Sequence, residues 1–431
     1  MALNGIIIAA PHSGAGKTMV TLGLLRAFRN RELSVVSAKS GPDYIDPAFH
    51  RAASGAPCVN LDAWAMPPAQ LRALATAQTG DLLIVEGAMG LFDAAPDVSN
   101  PMGRGSVADL AETLDLPVIL VLDAARQSQT AAAVVHGLAN FRPGIKIAGV
   151  ILNRIGSPRH GDMISKAINA LGIPVLGAIP RAPEMQMPSR HLGLIQAQEH
   201  PDLERFIETA AGLITRHIEL DALQNHAAEI PLTSHAPALP PLGQNIAIAQ
   251  DAAFAFSYPH LLSGWRRAGA QLSFFSPLKD EGPDAHADAV FLPGGYPELY
   301  AQNLANSANF AKTMHRANAK NTLIYGECGG YMTLGETLTD SLGISHRMLG
   351  MLPVHTSFAT PRLHLGYRHL QPLGRLPWSG ALKGHEFHYA SIVQKSPKAP
   401  LFNATDSMGT TLPDMGHIRK NICGSFAHVI G

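Results

Sequence analysis

The segment "IIIAAPHSGAGKTMVTLGLL", residues 6 to 25, constrains the fold more than any other part of the chain. Its isoleucines and alanines read as a strand buried on both faces, and Val20, Leu24, Leu25 and Phe28 share one face of the helix that follows. Between them, Gly14-Ala15-Gly16-Lys17-Thr18 lets backbone N–H groups converge on phosphate oxygens at a helix N-terminus. In such a loop Ser13, Gly14, Ala15 and Gly16 cradle a nucleotide. Lys17 reaches its β- and γ-phosphates, and the Thr18 hydroxyl ligates Mg²⁺. Pro11 stands where the strict Gly-x-x-x-x-Gly-Lys-[Ser/Thr] pattern has its first glycine, so the loop fits better one residue longer, from Ala10 to Gly16.

A strand that ends at a phosphate belongs in an open parallel sheet, and the first half supplies more strands of that kind. Apolar runs at Gly5–Ala9, Ser34–Ser37, Leu82–Val85, Val118–Leu122, Ala148–Leu152 and Val175–Ala178 alternate with helical stretches, one of them Gln129–Ala139. This is a doubly wound α/β pattern. At 431 residues the chain exceeds one ordinary domain. Pro237, Pro240 and Pro241 mark an interdomain segment, and a second α/β series starts at "NIAIAQD". The expected division is 1–217, a linker at 218–244, and 245–431.

The 33 basic and 33 acidic residues cancel, so nothing in the charge balance points to a nucleic-acid surface. The 20 histidines are scattered without metal-ligand spacing. Cys58, Cys328 and Cys423 are too few for a disulfide framework, and no apolar run approaches the length of a membrane span. A cytoplasmic location follows, with no membrane partner.

Two further segments belong to the phosphate-binding edge. "DLLIVEGAMGLFD" places Glu86 at a strand's C-terminal end, where a Mg²⁺ carboxylate belongs; a turn-capping role would also suit it. Asn153 ends "GVILN", where a side-chain amide can read an adenine edge or simply serve a turn. After the second strand, "KSGPDYIDPAFH" gathers Lys39, Asp43, Tyr44, Asp46 and His50. Turn chemistry explains its prolines and aspartates. It explains less well why they stand at this edge.

In the second half, "TLIYGECGGYMTLGE" reads strand, sharp turn, helix, with Cys328 at the corner. A nucleophile there has the Gly329 N–H beside it and a helix N-terminus to lower its pKa. "FLPGGYPELY" offers Gly294 and Gly295 as a second oxyanion loop, and His428 near the chain end offers a general base. Cys58 and Cys423 have no such surroundings and read as inert.

This order of elbow, glycine loop and late histidine resembles the triad-type (class I) glutamine amidotransferases. Many of those carry His-x-Glu, whereas Val429 and Ile430 follow His428 here, so no carboxylate comes from that strand. The longer phosphate loop is similar to that of dethiobiotin synthetase-like ATPases. Together "AAPHSGAGKT", "KSGPDYIDPAFHRAASG", "NLDAWAM", "VEGAMGLFD", "VILNRIGSPRH", "FLPGGYPELY" and "YGECGGYM" resemble the cobyrinic acid / hydrogenobyrinic acid a,c-diamide synthase family over nearly the whole chain.

The resemblance implies a ligase with two parts: an N-terminal ATP-dependent amidoligase of P-loop fold and a C-terminal glutaminase. It implies amidation of the a and c acetates of a corrin polycarboxylate through an acyl phosphate, with ATP, Mg²⁺ and glutamine, in cobalamin biosynthesis. Cys328 is then the nucleophile and His428 its base. Thr18, Glu86 and Asp46 hold Mg²⁺, while Asp43, Tyr44 and Asp46 meet the corrin carboxylates. "LGYRHL" and "GHEFHYA" look like family segments near the corrin. "AAPHSGAGKT", "NLDAWAM" and the ending "AHVIG" look closer to the metal-free, hydrogenobyrinic type. Cobyrinic acid, Ni-sirohydrochlorin, and a non-catalytic tetrapyrrole-binding module stay open as alternatives, as does a homodimer.

Overall fold

The computed structural model describes residues 3–183, 189–190, 193–194, 196–233, 238–394 and 399–431. Two compact units divide the chain, Met1–Pro237 and Ala238–Gly431.

In the first unit, β1 (Asn4–Ala9) leads through the glycine loop into α1 (Lys17–Asn30). Then come β2 (Val35–Ser40), α2 (Asp46–Ser54), β3 (Cys58–Leu61), β4 (Leu82–Glu86), β5 (Val118–Asp123), β6 (Ile147–Ile155) and β7 (Val175–Pro180). All seven strands run parallel, in the order β3-β2-β4-β1-β5-β6-β7. Val20, Leu24, Leu25 and Phe28 bury one face of α1 in the core, which α3 (Leu203–His217) also joins.

The apolar runs end earlier than the strands do. β2, β4, β5 and β6 continue through Lys39, Glu86, Asp123 and Asn153, polar residues that hydrophobicity alone assigns to loops. They form ladder pairs all the same, Lys39 with Glu86 and Asp123 with Asn153. The segment expected as a linker is also partly structured. It holds α4 (Leu220–Asn225) and β8 (Ala228–Glu229), which pairs antiparallel with the start of β1. Pro237 lies outside the described residues.

In the second unit, β9 (Asn245–Ala249), β10 (Gln271–Phe275), β11 (Ala289–Leu292) and β12 (Leu323–Glu327) precede α5 (Gly329–Leu334). After them come β13 (His364–Pro372), β14 (Leu382–His388), β15 (Phe402–Asp406), β16 (His417–Arg419), β17 (Ile422–Ser425) and β18 (His428–Val429). One sheet has the order β10-β9-β11-β12-β17-β16, parallel except for β16. A second, antiparallel sheet has the order β15-β13-β14-β18. Cys328 follows the centre of the first sheet and His428 sits on the edge of the second. Only two residues part β17 from β18, so the chain crosses between sheets just where it delivers the histidine. Among the described residues, no helix is long and apolar enough to cross a membrane.

Candidate functional site

In the first unit a cleft of about 790 Å³ opens at the C-terminal ends of the parallel strands. Ser13, Gly14, Gly16, Lys17 and Thr18 line it together with Asp43, Asp46, Glu86 and Asn153. Ala15 is fully buried and Tyr44 does not line the cleft. Gly16 is at φ 98°, and a Cβ there would fall 2.2 Å from Nδ2 of Asn153, so only glycine fits. Asn153 donates that amide to the Ala15 carbonyl at 2.9 Å. It therefore braces the loop, which sequence reasoning did not foresee. Arg154, also unforeseen, donates to Gly14 O at 3.0 Å and pairs with Asp123 at 2.6 Å.

Below the loop lies a buried charge cluster. Lys39 Nζ sits 2.5 Å from Asp46 and 2.8 Å from Glu86. The other Glu86 oxygen meets His50 Nε2 at 2.6 Å, and the Thr18 hydroxyl donates to Glu86 Oε1 at 2.6 Å. Burial opposes the charge on Lys39, but Asp46 and Glu86 outweigh it and hold the ammonium protonated. Burial likewise opposes the Glu86 anion, and Lys39 with His50 holds it well below the usual carboxylate range. Asp46 is the weaker acid of the two: burial and the nearby Asp43 push it up to about 7. Asp43 closes the turn that enters α2, accepting from the N–H groups of Ile45 at 2.7 Å and Asp46 at 3.2 Å. That aspartate serves the turn and also lines the cleft. Lys17 donates to the carbonyls of Met89 and His12.

These donors suit the groups expected here. Thr18, Glu86 and Asp46 are hard oxygen ligands of the kind Mg²⁺ takes, and the glycine loop at the start of α1 is a phosphate cradle. Cys58 is not wholly without company, since its sulfur lies 3.5 Å from His50 Nδ1.

In the second unit Cys328 has φ 45° and ψ −103°, the strained corner expected of an elbow. Gly294 stands against it: a Cβ there would lie 3.3 Å from the Cys328 Cβ and 2.2 Å from Cε1 of His428. A Cβ on Gly329 would lie 2.9 Å from the Gly295 nitrogen. The fold thus brings Cys328, His428, Gly294, Gly295 and Gly329 together.

The thiol's ionisation differs from expectation. Burial, and then the Glu298 charge, push the Cys328 thiol up rather than down. α5 has only six residues, and the hydrogen bond from the Gly329 backbone does not offset the lost hydration. Burial with His385 and His388 lowers His428 to about 3. A neutral thiol therefore faces a neutral imidazole. Such a pair transfers its proton only as the sulfur attacks. Burial also pushes Cys423 up to about 12.

Among the described residues, His364, Glu386 and His388 bring three ligand-type atoms within 4.8 Å. Glu386 already accepts from Arg368 at 2.8 Å and meets His388 at 2.8 Å, and the rings of His364 and His388 stack in parallel. Both Glu386 oxygens therefore already have partners.

The two sites define a class of protein in which a nucleotide-binding unit is joined to a glutamine amidotransferase unit. Residues 6–195 match the CobQ/CobB/MinD/ParA nucleotide binding domain, and residues 245–431 match the CobB/CobQ-like glutamine amidotransferase domain. Over 434 residues the chain is 54% identical to the hydrogenobyrinate a,c-diamide synthase of Brucella suis biovar 1, covering 99% of this chain and 98% of that one. The Rhizobium meliloti enzyme of the same name is 51% identical over 430 residues, covering 99% of each. The chain belongs to the hydrogenobyrinate a,c-diamide synthase family. Among solved structures, chloroplast FtsY from Physcomitrella patens covers 49% of this chain and 66% of its own at 16% identity, with a TM-score of 0.32, too low to add to the argument.

Proposed function

We propose that this chain amidates the a and c acetate carboxylates of hydrogenobyrinic acid, with glutamine as nitrogen donor and ATP as the energy source, in cobalamin biosynthesis. The observation that carries the reading is the pairing, in one chain, of a phosphate cradle with a cysteine–histidine elbow. Each alone fits many reactions. Together they fit a synthetase that makes its own ammonia.

In the first unit, backbone N–H groups of the 13–18 loop and Lys17 hold the phosphates. Thr18, Glu86 and Asp46 would hold Mg²⁺, and Asn153 braces the loop through the Ala15 carbonyl. When bound, MgATP supplies the phosphoryl group that turns a substrate carboxylate into an acyl phosphate. Asp43 and Asp46, which line the cleft, are placed to orient the corrin, whereas Tyr44, expected to join them, does not line it. Lys39 keeps Asp46 and Glu86 from repelling one another in the dry interior.

In the second unit, Cys328 gives its proton to His428 as the sulfur attacks the glutamine amide carbon. N–H groups of Gly329 and the Gly294–Gly295 loop meet the developing oxyanion. His428 returns the proton to the leaving ammonia, and water then hydrolyses the thioester to glutamate.

Mass spectrometry tests the substrate. Hydrogenobyrinic acid, cobyrinic acid and Ni-sirohydrochlorin are offered in parallel with MgATP and glutamine. Two successive carboxylate-to-amide conversions on hydrogenobyrinic acid are expected. Conversion of another substrate alone reassigns the pathway, and conversion of none with nucleotide bound favours a tetrapyrrole-binding module.

A further inference from the structure

No acid follows His428 in the sequence, yet the fold supplies one from the other strand. Glu327 ends β12, immediately before the nucleophile, and its carboxylate is 3% exposed. Its Oε2 lies 3.7 Å from Nδ1 of His428. Its Oε1 accepts from the Val429 N–H at 3.0 Å and from the Tyr325 hydroxyl at 2.9 Å. Alternation along β12 puts Tyr325 and Glu327 on one face, so the tyrosine is built in as a donor to this carboxylate. The carboxylate therefore touches both residues of β18, the strand that carries the base, from the position next to the thiol.

The opposite edge of the imidazole faces the chemistry. A Cβ on Gly294 would meet its Cε1 at 2.2 Å, its Nε2 at 2.9 Å and the Cys328 Cβ at 3.3 Å. Nδ1 thus points to Glu327 while Nε2 lies on the Cys328 side. Another acid in the region, Glu386, is committed elsewhere, with its oxygens on Arg368 and His388.

We propose that Glu327 is the positioning carboxylate of this glutaminase, accepting the Nδ1–H of His428 so that the Nε2 lone pair is aimed at the Cys328 thiol. Burial pushes Glu327 up to about 8, against the Val429 N–H and the Tyr325 hydroxyl that favour its anion; in its ionised form it also stabilises the imidazolium formed when the thiol proton moves to Nε2 and the sulfur bonds to the amide carbon. The 3.7 Å separation suits a resting site, because catalytic hydrogen bonds commonly tighten only with substrate bound. The role falls to the residue before the nucleophile, in place of the one two positions after the histidine. This inference rests on reading Cys328 and His428 as nucleophile and base.

Glu327→Gln, assayed above pH 8 where the carboxylate is ionised, tests it, since the amide keeps an acceptor for Tyr325 and Val429 and removes the charge. The glutamine-dependent kcat is expected to fall by about 10²-fold or more, as it does when a triad histidine loses its orienting anion. Ammonia-dependent amidation is expected to stay at the wild-type level, and Glu327→Asp to recover part of the loss. A Glu327→Gln enzyme within about threefold of wild type in glutamine use overturns the proposal.

If Glu327→Gln does not fold, Tyr325→Phe decides. It leaves the carboxylate but weakens the support for its charge, so the acid limb of the glutaminase pH profile moves to higher pH. The other ionisable groups near this imidazole are His385, His388 and Glu386, with Glu298 near the thiol and Cys423 beside Tyr325, and none of them is altered. A profile superimposable on wild type overturns the proposal. In the same assay, glutamine use surviving in Cys328→Ala would overturn the nucleophile reading and this one with it.

Discussion

In the first unit Lys39, Asp46, His50 and Glu86 are buried against one another as a charged cluster, whereas the second unit buries Cys328 and His428 as neutral groups. The difference follows the chemistry each must do. Phosphate and Mg²⁺ arrive charged, so the first site holds fixed charges that are ready beforehand, at the cost of desolvating them. Glutamine arrives with an uncharged amide, and charge appears only as the thiol proton moves. A buried pair of neutral groups serves that step, with Glu327 placed beside His428 to answer the positive charge as it forms.

The contrast breaks most sharply at Lys17. Lys17→Ala is expected to lower both glutamine- and ammonia-dependent amidation by about 10³-fold, because the phosphates lose their nearest side-chain cation. Glutamine hydrolysis, measured as glutamate release, should be spared. Equal loss of hydrolysis would show that the two chemistries are not separable.

Gly294→Ala makes the converse cut. Its methyl would sit 2.2 Å from Cε1 of His428 and push the base off line, so glutamine use should drop by about 10²-fold with ammonia use intact. Wild-type glutamine turnover in this variant would contradict the packing of Gly294 on the histidine.

Gly16→Ala probes the charged side more gently. A residue forced to φ 98° and against Asn153 costs about 1–3 kcal/mol, so the ATP Kd should rise about tenfold or more. Isothermal titration checks this, and an unchanged Kd would mean that the loop relaxes freely.

The smallest effect concerns protons. Burial lowers His260 to about 4, although its Nε2–H donates to the Ile430 carbonyl at 2.8 Å. The unfolded chain then binds the extra proton between about 4 and 6.5, so this group's stability is complete above that window and is lost as pH falls through it. The loss is on the order of 3 kcal/mol. His260→Gln should flatten the pH dependence of hydrogen exchange in residues 245–431 across that window. An unchanged slope would mean that His260 contributes nothing to it.

How far the molecule can be read without its structure differs between the same two regions. The glycine loop, the elbow at Cys328 and the alternation of strands and helices are local patterns, and the fold keeps them. The strands run on past their apolar cores because polar side chains that line the cleft, such as Lys39, Glu86 and Asn153, occupy their ends, which a hydrophobic criterion trims away. Lys39 is visible in "KSGPDYIDP", but its partner Glu86 comes from a strand 47 residues on, placed beside it only by ladder register. Glu327 is less legible still. Its contact with Val429 spans 102 residues and exists only because β18 returns past β12.

The separation of the two chemistries is tested most directly by following nitrogen into product in Cys328→Ala. The purified variant is given hydrogenobyrinic acid and MgATP, with either amide-¹⁵N glutamine or ¹⁵N ammonium. No label from glutamine and two labelled amides from ammonium are expected. Loss of both in a folded, ATP-binding protein, or continued transfer from glutamine, would contradict the account.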